Sequence, residues 1–136
     1  MRKYSQYCPV ARTLDLVGDR WTLIIIRDLF MGLRKFREFR ANSPGLPPKV
    51  LSARLKMLME EGMVEREVYS QHPLRAEYRL SEKGESLLPV ILAIGRWGME
   101  YMFDGEPEAR AEVARIVAEE IPGARQIFVE AGIIDG

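Results

Sequence analysis

The stretch Pro44-Gly45-Leu46-Pro47-Pro48-Lys49-Val50-Leu51-Ser52-Ala53-Arg54-Leu55-Lys56 decides the fold. A proline and glycine turn stands directly before a helix, because proline fits the first helical turn, where its missing N–H has no partner to lose. Leu51, Leu55 and Leu58 follow the i, i+4, i+7 rule of one buried face, and Gly62 closes the segment. At about 100° per residue, Lys49, Ala53, Lys56 and Glu60 fall within about 40° of the opposite direction, with Ser52 on its shoulder. The spacing predicts a helix with a cationic outer face.

Working outward, Phe36 and Phe39 mark a short amphipathic helix from about Lys35 to Ala41, ended by Asn42-Ser43-Pro44-Gly45. Upstream, the apolar residues from Leu14 to Phe30 form two helical segments broken at Gly18-Asp19, with Asp19 as N-cap of the second and Gly32 as its stop. Downstream the period falls to two. Val64 and Val68 share one strand face, and Ala76, Tyr78 and Leu80 share another. These strands flank Ser70-Gln71-His72-Pro73-Leu74-Arg75, which reads as a hairpin loop too long for a two-residue turn. Ser81 then caps a long apolar helix expected from about Glu82 to Phe103, with Pro89 either bending it or lying in its first turns.

Short helix, turn, cationic helix and hairpin together make a winged helix-turn-helix. The expected class is α+β, mainly α with a small β-hairpin. In such a module the helix after the turn enters the major groove, and its N-terminal turn lies nearest the base edges.

Charge supports this reading. Lys plus Arg and Asp plus Glu are each 20, yet residues 1–103 hold 17 cations against 12 anions, and residues 104–136 hold 3 against 8. Arg34 to Lys56 concentrates seven cations against Glu38 alone. A phosphate backbone attracts such a cluster, although a merely solvated helix face has the same composition. The candidate DNA contacts are Lys49, Ser52, Arg54 and Lys56 on the cationic helix and Arg34, Lys35 and Arg37 before the turn. Arg75 in the wing loop joins them, with His72 behind it. Arg54 lies about 60° from the buried line, so a structural ion pair competes with DNA contact there.

The long apolar helix has too many apolar residues for one buried face, so a second contact is expected. A second copy of the chain, meeting Leu88, Ile91, Leu92, Trp97 and Tyr101, is one source; the C-terminal tail is the other. Residues 1–103 then form the DNA-binding and dimerisation domain, and residues 104–136 an acidic extension with a helix from about Pro107 to Glu120 and an apolar tail. Trp21 and Trp97 read as core residues or, failing that, as the lining of an effector pocket.

One cysteine and one histidine leave no internal disulfide and make a Cys/His metal site within one chain improbable. No phosphate loop, metal spacing or nucleophile motif points to an enzyme, and no cofactor is expected. No apolar run approaches the about 20 residues of a membrane span, so the expectation is a soluble cytoplasmic protein. Cys8, next to Pro9 and near a helix N-terminus, is either an accessible thiol favoured as thiolate or an inert apolar residue at a subunit contact.

Cys8, Gly18-Asp19-Arg20-Trp21, Phe36 and Phe39, the Leu51, Leu55, Leu58, Gly62 pattern, Glu77-Tyr78, Lys83-Gly84 and Trp97-Gly98 occur in that order. Over about Cys8 to Phe103 the chain resembles the HxlR-type winged-helix transcriptional regulators of bacteria, relatives of the MarR group. The resemblance implies a homodimer joined through N-terminal and long C-terminal helices, bound to a pseudo-palindromic double-stranded DNA operator to repress or activate nearby genes. It also implies a small molecule or electrophile as effector, since some such proteins sense through a cysteine placed like Cys8. The rival is a winged helix used for protein interaction without operator binding. Residues 104–136 extend past the usual family end.

Overall fold

The computed structural model describes residues 7–136. Helices α1 (Pro9–Val17), α2 (Thr22–Phe30), α3 (Phe36–Asn42) and α4 (Pro48–Glu60) lead into an antiparallel hairpin of β1 (Val64–Gln71) and β2 (Leu74–Leu80). Then follow α5 (Glu82–Glu85), α6 (Leu88–Tyr101), α7 (Pro107–Glu120) and α8 (Ala124–Glu130). This is a winged helix-turn-helix, mainly α with one small sheet.

The core forms where the leucine face of α4 meets α2 and α3. Leu51, Leu55 and Leu58 are buried with Ile25, Ile26, Leu29 and Phe39, and each such side chain stabilises the fold by about 1.5–3 kcal/mol. Leu46, inside the turn, is buried in the same cluster and pins the turn to it. Gly32 and Gly62 end α2 and α4 at φ values of 97° and 72°, where a side chain would be strained.

Two expectations about boundaries are corrected. Strand pairing continues to Gln71 opposite Leu74, so the hairpin connection is only His72-Pro73, joined by a cis peptide bond. A register shift between Val68 and Ser70 absorbs Tyr69 as a bulge, which lets the ladder run on. The long helix expected from Glu82 is also two helices. Continuing α5 would set the Pro89 ring against the carbonyl four residues earlier, so the chain turns at Ser86-Leu87 and restarts with Pro89 in the first turn of α6.

The hairpin is fastened near its root. The Tyr78 amide donates to the Arg34 carbonyl at 2.7 Å, and the Ser81 amide donates to the Met63 carbonyl at 3.0 Å. Ser81 Oγ accepts from the Gly84 amide and donates to the Gly62 carbonyl, while Lys83 Nζ reaches the Glu61 carbonyl at 2.7 Å. The root of the wing is thereby tied to the end of α4.

Residues 107–130 fold back on α6 as two helices, so the expected apolar tail contains α8. Met99 of α6 is buried with Ala114, Ala118 and Phe128. Arg110 Nε donates to the Met99 carbonyl at 2.8 Å, satisfying an acceptor near the end of α6.

Candidate nucleic-acid interface

Helix α4 separates its two faces as the spacing requires. Lys49, Ser52 and Lys56 are exposed with Ala53 and Glu60, opposite the three buried leucines. Pro47 and Pro48 start the helix without leaving amides in need of partners. Two lysines and a serine hydroxyl therefore stand together on a rigid, solvent-facing surface, suited to phosphate oxygens and base edges.

Arg54 is placed differently. Its Nε lies 3.2 Å from Asp19 Oδ2, out of line for a hydrogen bond but within ion-pair range. The Asp19 carboxylate also accepts from the amides of Trp21 and Thr22, at 3.0 and 3.1 Å, and from the Thr22 hydroxyl. Burial pushes the Asp19 carboxyl up, but the Thr22 hydroxyl, the Trp21 amide, Arg54 and the Thr22 amide together hold it below its ordinary value. Trp21, not Asp19, is the N-cap residue of α2; from the turn before the helix the Asp19 carboxylate takes up its first amides and pairs with Arg54 of α4.

Arg34 is half-buried and partly engaged within the chain. Its Nη1 donates to the carbonyl of Leu29, in the last turn of α2, and to that of Leu33 just beyond it, at 2.8 and 2.9 Å. The Lys35 ammonium lies 5.8 Å from the centre of the Tyr69 ring, joining the start of α3 to the bulge of the wing. Glu38 Oε1 accepts from the amides of Arg34 and Lys35 at 3.0 and 2.8 Å. These amide bonds hold its carboxyl below the ordinary range, Arg34 contributing most. Arg37 is exposed on α3.

On the wing, Arg79 is engaged by Glu65 and Glu67 at 3.3 and 3.2 Å. Arg75 stands exposed across from Ser70, and His72 is exposed at the turn.

Sequence reasoning missed one polar cluster behind this surface. Asp28 is 1% exposed, and its Oδ1 accepts from Arg27 Nε and Nη2, at 3.0 and 2.7 Å, and from Asn42 Nδ2 at 2.9 Å. Asn42 ends α3, so the cluster holds the helix before the turn against α2. Its signal was an aspartate within the apolar run Leu23 to Phe30.

The expected subunit-contact residues divide. Ile91 and Leu92 are buried inside the single chain, correcting their assignment to a surface: the core under α2 and the C-terminal helices already cover them. Leu88 is half-buried. Trp97 and Tyr101 are 59% and 60% exposed, with ring centres 5.2 Å apart, so Trp97 is not the core residue its aliphatic neighbours suggested. Val90 and Ile94 are exposed on α6 too, as are Val10 and Leu14 on α1. Trp21 is half-buried under the Arg20 guanidinium. Cys8 is half-buried at the N-cap of α1. Among the described residues no group of three or more His, Cys, Asp or Glu side chains could hold a metal, and no helix is long and apolar enough to cross a membrane.

Comparison with known proteins gives one consistent family. The uncharacterised HTH-type transcriptional regulator Rv3095 of Mycobacterium tuberculosis is 47% identical over 93 residues, which are 68% of this chain and 58% of that protein. The chain therefore spans less than two thirds of that relative. Among solved structures, PA1607, a candidate transcription factor, is 42% identical with a TM-score of 0.66 over 77% of this chain and 73% of its own. The redox regulator HypR in its oxidised form is 40% identical with a TM-score of 0.62, covering 67% of this chain and 94% of its own. The model of the HxlR-like helix-turn-helix matches residues 16–106. The chain belongs to the HxlR-like helix-turn-helix family.

Proposed function

We propose that the protein is a sequence-specific DNA-binding transcriptional regulator, acting as a homodimer on a pseudo-palindromic operator, most simply as a repressor. The observation that carries this is the outer face of α4, where Lys49, Ser52 and Lys56 are exposed together on a helix seated by its leucines. Those three residues read the major groove and its flanking phosphates. Lys35 and Arg37 meet backbone phosphate from α3, and Arg75 does so from the wing. The dimer forms through the exposed apolar faces of α1 and α6, centred on Trp97 and Tyr101. A regulator of this kind works in the cytoplasm, where the DNA is.

Thiol oxidation is the input this reading favours. It rests on Cys8 at the N-cap of α1 and on the likeness to a redox regulator. The test is binding to a fluorescent duplex taken from upstream of the protein's own gene, against scrambled duplex, across a salt series. Reduced protein, diamide-treated protein and Cys8→Ser are compared. Selective, salt-sensitive binding that diamide changes only when Cys8 is present is the expected result. Selective binding indifferent to diamide removes the thiol switch and keeps the regulator. If random-sequence selection also yields no preferred duplex, the module binds protein instead.

A further inference from the structure

Between α2, α6 and the C-terminal helices lies a cavity of about 240 Å³ that the DNA-reading face does not use. Apart from Arg27 its lining is apolar, with Leu23 and Ile24 on one side, Gly95 on another, and Val117, Ile121 and Phe128 on a third; it opens to solvent past Ile94, which is exposed. The third wall, Val117, Ile121 and Phe128, belongs to the extension beyond residue 106, outside the family match. Ile121 and Phe128 are themselves buried, which fixes that wall in place.

Two features bear on what the cavity can hold. At Gly95 an added Cβ would meet nothing within 4 Å. A glycine inside a helix costs about 1 kcal/mol relative to alanine, and here its missing side chain leaves volume open. The second feature is Arg27, whose Nε and Nη2 both meet Oδ1 of the buried Asp28. The pair is already neutral, so a further anion beside it would meet the buried Asp28 carboxylate as well as the half-exposed guanidinium. A carbonyl or ether oxygen can instead accept from the remaining guanidinium N–H groups without adding charge.

We propose that this cavity binds a small, neutral, largely apolar molecule whose single hydrogen-bond-accepting oxygen sits on Arg27. A dry cavity of about 150 Å³ holds benzene, so this one suits a molecule of about ten heavy atoms. The site stands independently of the DNA-binding reading, and its test uses no DNA.

Methyl-detected NMR on the full chain, titrated separately with acetophenone, its carbon isostere α-methylstyrene, and benzoate, tests the site. Acetophenone should shift the methyls of Ile24, Val117 and Ile121 and bind at least about fivefold more tightly than the other two. Gly95→Leu fills the open volume and raises helix propensity; it should keep a folded spectrum and weaken acetophenone binding at least about tenfold. The double variant Arg27→Met, Asp28→Asn removes the pair without stranding a charge, and should reduce acetophenone to the level of α-methylstyrene. The proposal is overturned by methyls that no probe moves, as when a second copy fills the space. It is equally overturned by tighter binding of benzoate, or by Gly95→Leu binding as wild type does.

Discussion

The Arg54 Nε and Asp19 Oδ2 atoms, 3.2 Å apart, join the outer helix of the helix-turn-helix to the turn that leads into α2. Both side chains are partly exposed, so the ion pair itself contributes only about 0.2–1 kcal/mol. Arg54→Met should therefore lower the urea midpoint slightly and weaken duplex binding less than Lys49→Ala does. A larger loss of DNA affinity from Arg54→Met would return Arg54 to the contact set.

Asp19 carries more than the pair. Asp19→Ala removes the acceptor for the Trp21 and Thr22 amides and should cost about 1–2 kcal/mol, the range of a lost helix cap. Because the folded carboxyl titrates below its ordinary value of 3.8, its contribution is fully present above that pH. It is lost as pH falls further, through the folded value. Denaturation midpoints between pH 3 and 6 should show the wild type losing stability at the acid end, with Asp19→Asn showing a shallower loss.

Lys49→Ala and Lys56→Ala should each weaken duplex binding and reduce the slope of log affinity against log salt by about one unit per lost phosphate contact. Thermal midpoints should stay unchanged, since both side chains are exposed. An unchanged slope in both variants would mean that another face of α4 meets the DNA.

Trp97→Ala tests the exposed face of α6. The indole is 59% exposed in the single chain, so its removal leaves the monomer core intact. Sedimentation velocity should show a weaker dimer with an unaltered far-ultraviolet circular dichroism spectrum. A dimer of wild-type strength would place the subunit contact elsewhere.

Gly84→Ala should destabilise by about 1–3 kcal/mol or more, as overpacking does. An added Cβ would stand 2.1 Å from the Met63 carbonyl oxygen and 2.9 Å from Leu80 Cδ2. The carbonyl cannot move aside freely, because it also accepts the Ser81 amide. A thermal melt at wild-type temperature would show that the strand root can yield.

Periodicity made α4 legible from the sequence, since Leu51, Leu55 and Leu58 state the buried face and thereby expose Lys49 and Lys56. It could not show the partners of long polar side chains. Arg34 and Arg54 look like Lys49 in a sequence, yet the Leu29 and Leu33 carbonyls and Asp19 claim them only once the chain is folded. The same holds for Asp28 and Asn42, fourteen positions apart. The apolar abundance of α6 implied a second contact, and the C-terminal helices supply one within the chain; it did not show which residue served which. Ile91 and Leu92 turn inward while Trp97 and Tyr101 remain outside, because the C-terminal helices cover only part of the surface.

The wing root has a mechanical consequence. With Ser81 and Lys83 bonded to the carbonyls of Gly62 and Glu61, and Gly84 pressed against Met63, hairpin and recognition helix form a closed loop with no hinge between them. A signal received elsewhere cannot aim one without the other. In the dimer proposed above, what remains adjustable is the separation and tilt of two intact heads, so regulation would act as a change of gauge between the proposed half-sites.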